Sequence, residues 1–169
     1  MITVETERLV LRQLQLEDAA FILELVNDPS WLRYIGDRGI RTLDAARDYI
    51  RNGPMASHAR HGFGLDLIAR KSDGVPVGIC GLLKRDTLDD IDVGFALLPR
   101  YCGQGYAREA AAATLAHGRS ILGIKRIVAI TDPANTASIQ LLEKLGFKFE
   151  RLIRMAPEKP ELNLFGSDA

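Results

Sequence analysis

The chain has 169 residues, a length that fits one compact domain with a core of its own. Its 22 Lys and Arg residues balance 22 Asp and Glu residues, and the resulting net charge of zero gives no overall field to attract a polyanion such as DNA or RNA. Two cysteines are too few and too far apart for a disulfide framework or a zinc set, which indicates a reducing compartment.

The sequence begins with MITVETERLVLRQL, which lacks the charged, apolar and small-residue regions of a signal peptide. No stretch of the chain approaches the ~20 apolar residues of a membrane-spanning helix. We therefore expect a cytoplasmic protein, either a monomer or a homodimer, with neither a membrane nor a nucleic acid as its partner.

The first third of the chain has one strand pattern followed by helix patterns. Residues 8–14 alternate apolar and polar side chains as a half-buried strand does, and residues 17–27 then have helical spacing until Asp28-Pro29. Thr42 is a good N-cap for a second helix, LDAARDYIRN, which we expect Gly53-Pro54 to end.

From residue 63 the pattern becomes β, with the apolar segments FGLDLIAR, VPVGICGLLKR and DIDVGFALLP separated by polar turns. A glycine loop, a helix over residues 106–122 and the segment RIVAITD then form a strand, helix and strand unit with a parallel pair. This predicts a mixed, mostly antiparallel sheet flanked by helices, an α/β fold that a stricter definition calls α+β. Asn135 caps a further helix that Gly146 ends, and two strand patterns complete a single domain over residues 1–169.

The glycine loop, RYCGQGYA at residues 100–107, is the segment that points to a function. Gly103 and Gly105 lack a Cβ atom, so another group can approach their main chain closely. They precede a helix, whose first N–H groups have no acceptor within the helix and attract an anion such as a phosphate or a pyrophosphate. Two glycines alone are a weak signal, because they often serve only a tight turn, and the segment matches neither a P-loop nor a dinucleotide-binding motif.

The longer segment DVGFALLPRYCGQGYAREA resembles the acetyl-CoA-binding signature of the GNAT family of N-acetyltransferases. That signature has Arg or Gln, Gly three residues later, and Gly or Ala two residues after that, which Arg100, Gly103 and Gly105 match. The segment ITDPANTASIQLLEKLGF is similar to the family's asparagine-capped helix, which ends in E-K-L-G-F. The resemblance runs from ETERLVLRQL to LGF, and it is closest to the branch of the ribosomal-protein alanine acetyltransferases.

This resemblance implies a fold in which two neighbouring parallel strands splay apart to admit acetyl-CoA as the co-substrate, with no metal. In the family, backbone groups of the strand FALL contact the pantetheine arm, and the glycine loop holds the pyrophosphate. Pro99 agrees with this, because proline cannot donate to a strand ladder and marks where pairing ends. The positions that would contact the cofactor are Ala96, Leu97, Leu98, Arg100, Gly103, Gln104, Gly105, Tyr106, Ala107, Asn135 and Ser138.

Asp92 is the candidate catalytic base, because an ammonium group has no lone pair and must lose a proton before the amine attacks a thioester. It precedes Val93, Gly94 and Phe95, at a place where relatives commonly have glutamate. Strand alternation puts it on one face with Gly94 and Ala96. The alternative is that Asp92 is a solvated charge of the polar turn DTLDDID.

Ser138 is the candidate for stabilising the leaving thiolate. Many relatives use a tyrosine two residues before the lysine of the E-K-L-G-F segment, but this chain has Leu142 there, and the ribosomal branch resembles it in having serine at position 138. Alternatively, the Ser138 hydroxyl bonds only its own backbone. Asn135 has two compatible roles, as the N-cap of the helix and as a contact to the pantetheine.

Trp31 and Tyr34 fall in the segment that resembles the wall of the acceptor site in this fold; alternatively, they are a buried aromatic pair. His58 and His61 have one-turn spacing, but no carboxylate or cysteine lies close in sequence, so we expect exposed residues of a loop or helix end and no metal site. Cys102 has no paired histidine in its motif, and direct transfer needs no acyl-cysteine.

The sequence therefore predicts an acetyl-CoA-dependent N-acetyltransferase. The acceptor is a primary amine, either a peptide N-terminus or a small-molecule amine, which attacks the acetyl group directly. The alternative is a non-catalytic acyl-CoA-binding sensor or regulatory module, because the usual tyrosine is absent.

Overall fold

A computed structural model of the protein describes residues 3–168, and within them eight strands form one sheet. The strands are β1 (Val4–Glu5), β2 (Leu9–Gln13), β3 (Leu65–Arg70), β4 (Pro76–Leu83), β5 (Ile91–Leu97), β6 (Arg126–Thr131), β7 (Lys148–Arg154) and β8 (Glu161–Asp168). The helices are α1 (Ala19–Val26), α2 (Pro29–Tyr34), α3 (Leu43–Ile50), α4 (Ala56–His61), α5 (Tyr106–Ser120) and α6 (Thr136–Lys144), with 3-10 turns at Leu16–Asp18 and Pro99–Tyr101.

The sheet is mixed and mostly antiparallel, which confirms the predicted fold class. Its strand order is β1-β2-β3-β4-β5-β6-β8-β7, and β5 with β6 is the parallel pair. The connection between these two strands is α5, as the strand, helix and strand pattern predicted. β8 comes last in the sequence but lies between β6 and β7, where its residues Leu164 and Phe165 are buried.

Helices cover both faces of the sheet. On one face, α1 and α3 bring Ile22 and Ile50 into a core with Leu67 of β3. On the other face, α5 brings Ala110 and Ala111 against buried side chains of β2, β3 and β4. The small alanine side chains let the axis of α5 lie close to the sheet, and α6 packs beside it through the core at β6 and β8.

The structure differs from the sequence prediction between α1 and β3. Asp28-Pro29 ends α1 as expected, but the same residues start α2, with the Asp28 carboxylate accepting the Ser30 N–H. Gly53-Pro54 does not end α3, because residues 51–55 form a π-helical turn that leads directly into α4. The wider π turn accommodates Pro54, which has no N–H and whose ring clashes with an ordinary helical turn.

Two glycines of β4 let the neighbouring strands approach closely. A Cβ atom on Gly81 would overlap the carbonyl oxygen of Gly64 at the start of β3, and one on Gly78 would overlap the carbonyl oxygen of Ala96 in β5. Both obstacles are backbone atoms, which cannot rotate away as a side chain can. The placement of β5 beside β4 therefore requires Gly78, and the placement of β3 on the other side of β4 requires Gly81.

We predict that Gly81→Ala lowers the free energy of unfolding by about 1–3 kcal/mol, the usual cost of overpacking a core. Gly53→Ala is the matched control, because a Cβ atom there would meet only Tyr49, at 3.9 Å, and the backbone lies outside the left-handed region. The control is expected to be neutral or slightly stabilising. Urea unfolding measures both effects, and an unchanged midpoint for Gly81→Ala would contradict the packing argument.

Candidate active site

A gap opens in the sheet between β5 and β6. Within the described residues, their ladder pairs Ile91 with Ile127 and Asp92 with Val128, and no pair follows although β5 continues to Leu97. α5 follows β5 and α6 follows β6, so both helices begin at the wide end of the gap. The gap is therefore lined by strand backbone and flanked by two helix N-termini, which attract negative charge.

Alternate residues of β5 direct their backbone groups to opposite sides. The Leu98 N–H donates to the Val77 carbonyl at 3.0 Å, on the β4 side, and its own carbonyl accepts an N–H of the following turn. Because backbone groups in an antiparallel pair alternate with period two, Ala96 also bonds toward β4, while Phe95 and Leu97 face the gap. The backbone groups of Leu98 are thus bonded within the chain and those of Ala96 face β4, which disfavours the predicted contact of these two residues with a cofactor. The period of two along the strand instead puts Phe95 with Leu97 at the gap.

The main chain of the glycine loop is open at Gly103, whereas the Arg8 side chain approaches it at Gly105. Gly103 (φ +78°) and Gly105 (φ +84°) have left-handed backbone, which other residues rarely adopt. Gly105 caps α5, and no described atom lies within 4 Å of the position of a Cβ atom on Gly103. Gln104 is exposed between them, and Ala107 is half-buried in the first turn of α5. The loop has room for a ligand against its backbone N–H groups, and a pyrophosphate has the charge to match them.

Two predicted cofactor residues have other contacts. Arg100 forms an ion pair with Glu24 of α1 at 2.8 Å, and its side chain is 56 % exposed. Tyr106 is buried at the start of α5, with the Arg8 guanidinium 4.6 Å from the centre of its ring. Arg100 would therefore have to exchange Glu24 for a phosphate, whereas the Tyr106 side chain fixes the start of the helix by packing.

Asp92 lies at the narrow end of the gap and is completely buried. Arg85 donates from Nε to its Oδ1 at 3.1 Å, while Oδ2 has no hydrogen-bond partner among residues 3–168. Burial raises the pKa of the Asp92 carboxyl above its ordinary value, and the charge of Arg85 offsets only part of that rise. The alternative of a solvated surface charge is wrong, and this carboxylate is a stronger base than an exposed aspartate.

The residues that follow Asp92 on the same face of β5 are small. Gly94 follows on the same face without a side chain, and Ala96 packs against the core under α1–α3, which includes Trp31. Trp31 is 5 % exposed, and its Nε1–H has no hydrogen-bond acceptor within the described chain. Tyr34, on the same short helix, is half-buried. The structure thus places a buried carboxylate and a buried indole donor on one face of the sheet.

At the start of α6, Asn135 is the N-cap that the sequence predicted, because its Oδ1 accepts the Ser138 N–H at 3.3 Å. Ser138 is half-buried in the first turn and shares a helix face with Leu142 one turn later. Leu142 is completely buried in a core with Leu115 and Ile127, so a tyrosine at that position would overpack the core. Ser138 therefore supplies a hydroxyl group on the same face of α6 as the buried Leu142.

His58, His61 and Cys102, to which the sequence assigned no catalytic role, have contacts or properties that agree with this. The prediction of an exposed residue is wrong for His58, whose Nε2 bonds Asp66 Oδ1 at 2.8 Å and holds α4 against β3. His61 is exposed, as predicted. Partial burial raises the pKa of the Cys102 thiol, which disfavours the nucleophilic thiolate. No group of three or more His, Cys, Asp or Glu side chains in residues 3–168 is placed to hold a metal ion. In the same span, no helix is long and apolar enough to cross a membrane.

Comparison with known proteins decides the family. The sequence profile of the acetyltransferase (GNAT) domain matches residues 8–148. The chain belongs to the GNAT acetyltransferase family. Its relatives include "Uncharacterized N-acetyltransferase p20" of Bacillus licheniformis, which is 33 % identical over 91 % of this chain and 86 % of that protein. Spermidine N(1)-acetyltransferase of Escherichia coli K12 is 25 % identical over 83 % of this chain and 73 % of that enzyme.

A solved structure shares the GNAT fold throughout. RimL, a ribosomal L7/L12 α-N-protein acetyltransferase in complex with coenzyme A, superposes with a TM-score of 0.85 at 18 % identity, covering 99 % of this chain and 98 % of that one. The family that the glycine loop and the asparagine-capped helix predicted is therefore confirmed, and so is the class of enzyme, an acetyltransferase.

The raised pKa of Asp92 makes the stability of this GNAT domain depend on pH. Because the folded state holds the Asp92 proton to a higher pH than the unfolded chain does, stability falls as pH rises from the unfolded pKa through the folded one. Asparagine cannot ionise. We therefore predict that the melting temperature of Asp92→Asn, relative to that of the unchanged protein, increases as the pH is raised from 4 to 8. Thermal unfolding across this range measures the gain, and a difference that is constant with pH would contradict the pKa shift.

Proposed function

We propose that this GNAT acetyltransferase transfers the acetyl group of acetyl-CoA to a primary amine that attacks it directly, with Asp92 as the base. The observation that carries the proposal is the completely buried Asp92 carboxyl group, whose Oδ2 has no partner among residues 3–168. A buried carboxylate without full compensation costs stability, so its position at the apex of the gap favours a role in a reaction.

The gap and the glycine loop fit acetyl-CoA. Phe95 and Leu97 direct backbone groups into the gap, where they match the amide groups of a pantetheine arm. The N–H groups of the loop from Gly103 to Ala107 would hold the pyrophosphate at the start of α5. When bound, acetyl-CoA supplies an acetyl group that is activated as a thioester.

Asp92 prepares the amine. Its Oδ2, which has no hydrogen-bond partner among residues 3–168, would accept the proton of a cationic amine, directly or through one water, and the loss of this proton frees the lone pair of the nitrogen. Arg85 favours the ionised form of the carboxyl, because its charge lowers the pKa that burial raises. The net direction is a raised pKa, which makes the carboxylate a stronger base than an exposed aspartate.

Ser138 assists the departure of the sulfur. A thiolate leaves with a pKa near ~8.5, so it can depart without a proton at neutral pH and needs only stabilisation. The half-buried hydroxyl of Ser138 can donate a hydrogen bond at the start of α6, where the helix dipole also favours negative charge. Asn135 supports this placement by capping the same turn.

The acceptor is a peptide N-terminus or a small-molecule amine. Both classes occur among related proteins, since one relative is named a spermidine acetyltransferase and one structural neighbour a ribosomal L7/L12 α-N-protein acetyltransferase. Trp31 and Tyr34 are the candidates to contact it, and the indole N–H of Trp31 can donate to an acceptor carbonyl or hydroxyl.

The acceptor and the base can be tested together. The protein is incubated with acetyl-CoA and a panel of polyamines, amino acids, amino sugars and ribosomal-protein N-terminal peptides, and the released thiol is measured. For any acceptor found, we predict that Asp92→Asn lowers kcat/KM by roughly ten- to a thousandfold, around the range of general-base catalysis, with little change in CoA affinity.

Asp89→Asn is the matched control, because Asp89 is an exposed aspartate only three residues away. Its kcat/KM should equal that of the unchanged protein. CoA binding without thiol release for any amine would favour the sensor over the enzyme, and equal rates for Asp92→Asn and Asp89→Asn would remove Asp92 from the mechanism.

For Ser138→Ala, we predict a decrease in kcat of roughly ten- to a hundredfold, less than the loss of a full oxyanion donor, with the KM for acetyl-CoA little changed. Helix stability should hardly change, because Asn135 still caps α6. Steady-state kinetics and thermal unfolding of the same sample separate the two effects. An unchanged kcat would leave solvent as the stabiliser of the thiolate.

A further inference from the structure

Arg8 lies directly before β2 and reaches Gln104 of the glycine loop, 96 residues away in the sequence. Its Nη1 donates to the Gln104 carbonyl at 2.9 Å, and its Nη2 lies 3.2 Å from the position of a Cβ atom on Gly105. Its Nε donates to Glu109 of α5 at 2.8 Å. One guanidinium therefore holds both the loop and the first turns of the helix that follows.

This contact determines the direction of one peptide group. In a trans peptide, the carbonyl of one residue and the N–H of the next point in opposite directions. Because the Gln104 carbonyl points at Arg8, the Gly105 N–H points away from Arg8, out of the loop. Glycine can rotate such a peptide at little cost, since it has no Cβ atom to oppose the change. Without the hydrogen bond from Arg8 to the Gln104 carbonyl, few other contacts of this peptide would keep the Gly105 N–H in its outward direction.

Arg8 is itself held in place from three sides. Its backbone N–H and its Nε both donate to the Glu109 carboxylate, and the Thr6 hydroxyl donates to the same group. Its guanidinium stacks on the Tyr106 ring at 4.6 Å. An arginine with this many contacts is a fixed support, although its side chain is 43 % exposed.

We propose that Arg8 is a positioning residue for the co-substrate: it fixes the Gln104–Gly105 peptide so that the Gly105 N–H is directed at the pyrophosphate of CoA. The proposal rests on the proposed function, in which the glycine loop binds that pyrophosphate. Arg8 acts through the loop, since the Gly105 N–H points away from it. A lysine would keep the charge of Arg8, but it could not bond Gln104 and Glu109 together and stack on Tyr106.

The test compares Arg8→Gln and Arg8→Lys with the unchanged protein in two measurements. Calorimetry gives the Kd of free CoA, for which we expect a rise of roughly ten- to a hundredfold in Arg8→Gln, the loss that follows from one charge-assisted hydrogen bond. Initial rates give kcat/KM with acetyl-CoA and with S-acetylpantetheine, which has no phosphate. The loss should appear with acetyl-CoA alone, and Arg8→Lys should recover only part of it.

Arg154→Gln is the matched control. Arg154 is an exposed arginine of β7 that also donates to a backbone carbonyl, that of Lys159 at 2.6 Å, and approaches a carboxylate, Glu161. Both of these partners belong to β8 or to the connection between β7 and β8, so its substitution should leave both measurements unchanged. If Arg8→Gln does not fold, Arg8→Lys carries the comparison.

The results distinguish this inference from the function on which it rests. If the unchanged protein does not bind CoA, the proposed function fails first. If it binds CoA and Arg8→Gln binds equally well, or loses activity equally with both acyl donors, Arg8 is only a structural clamp. Full recovery in Arg8→Lys would mean that its charge matters and the direction of the peptide does not. Each of these outcomes overturns the inference.

Discussion

The divergence of β5 from β6 beyond the Asp92–Val128 pair is the constraint on which the rest of the site depends. Before that point both strands are fully paired, so the backbone at Asp92 is held by β4 on one side and β6 on the other. Beyond it, Phe95 and Leu97 keep backbone groups that no strand of the described sheet pairs with. Both residues are half-buried, and a ligand with amide groups can bond these unpaired backbone groups.

At the apex of this gap, a carboxyl group is held in a well-supported strand, and its burial costs stability. Asp92 is buried with a raised pKa, and only one of its oxygens is bonded, to an arginine that is itself one-third exposed. A hydrophobic residue there would suit the core better, which is the usual relation between an active site and the stability of its fold. The close approach of β4 to β5, made possible by Gly78, supports the strand that carries this carboxylate.

Much of the architecture followed from local sequence patterns, because strand alternation, helix caps and glycine loops are governed by neighbouring residues. This class includes the strands β3 to β8, the caps Thr42 and Asn135, and the parallel pair. The six-residue helix α2 was too short to give a periodic pattern, and the π turn depended on packing around Pro54. The burial of Asp92 and the contact of Arg8 with Gln104 are set by tertiary packing over long sequence separations, which no local pattern records.

The place of β8 has a consequence for the order in which the sheet is completed during synthesis. β8 follows β7 in the chain but separates it from β6, so β6 keeps an open edge until the ribosome has released residues 161–168. During that interval β7 has no sheet neighbour, and the half-exposed Phe149 and Leu152 on it are accessible to other nascent chains. Partially synthesised chains of this protein therefore have strand edges on β6 and β7 that β8 covers in the complete sheet.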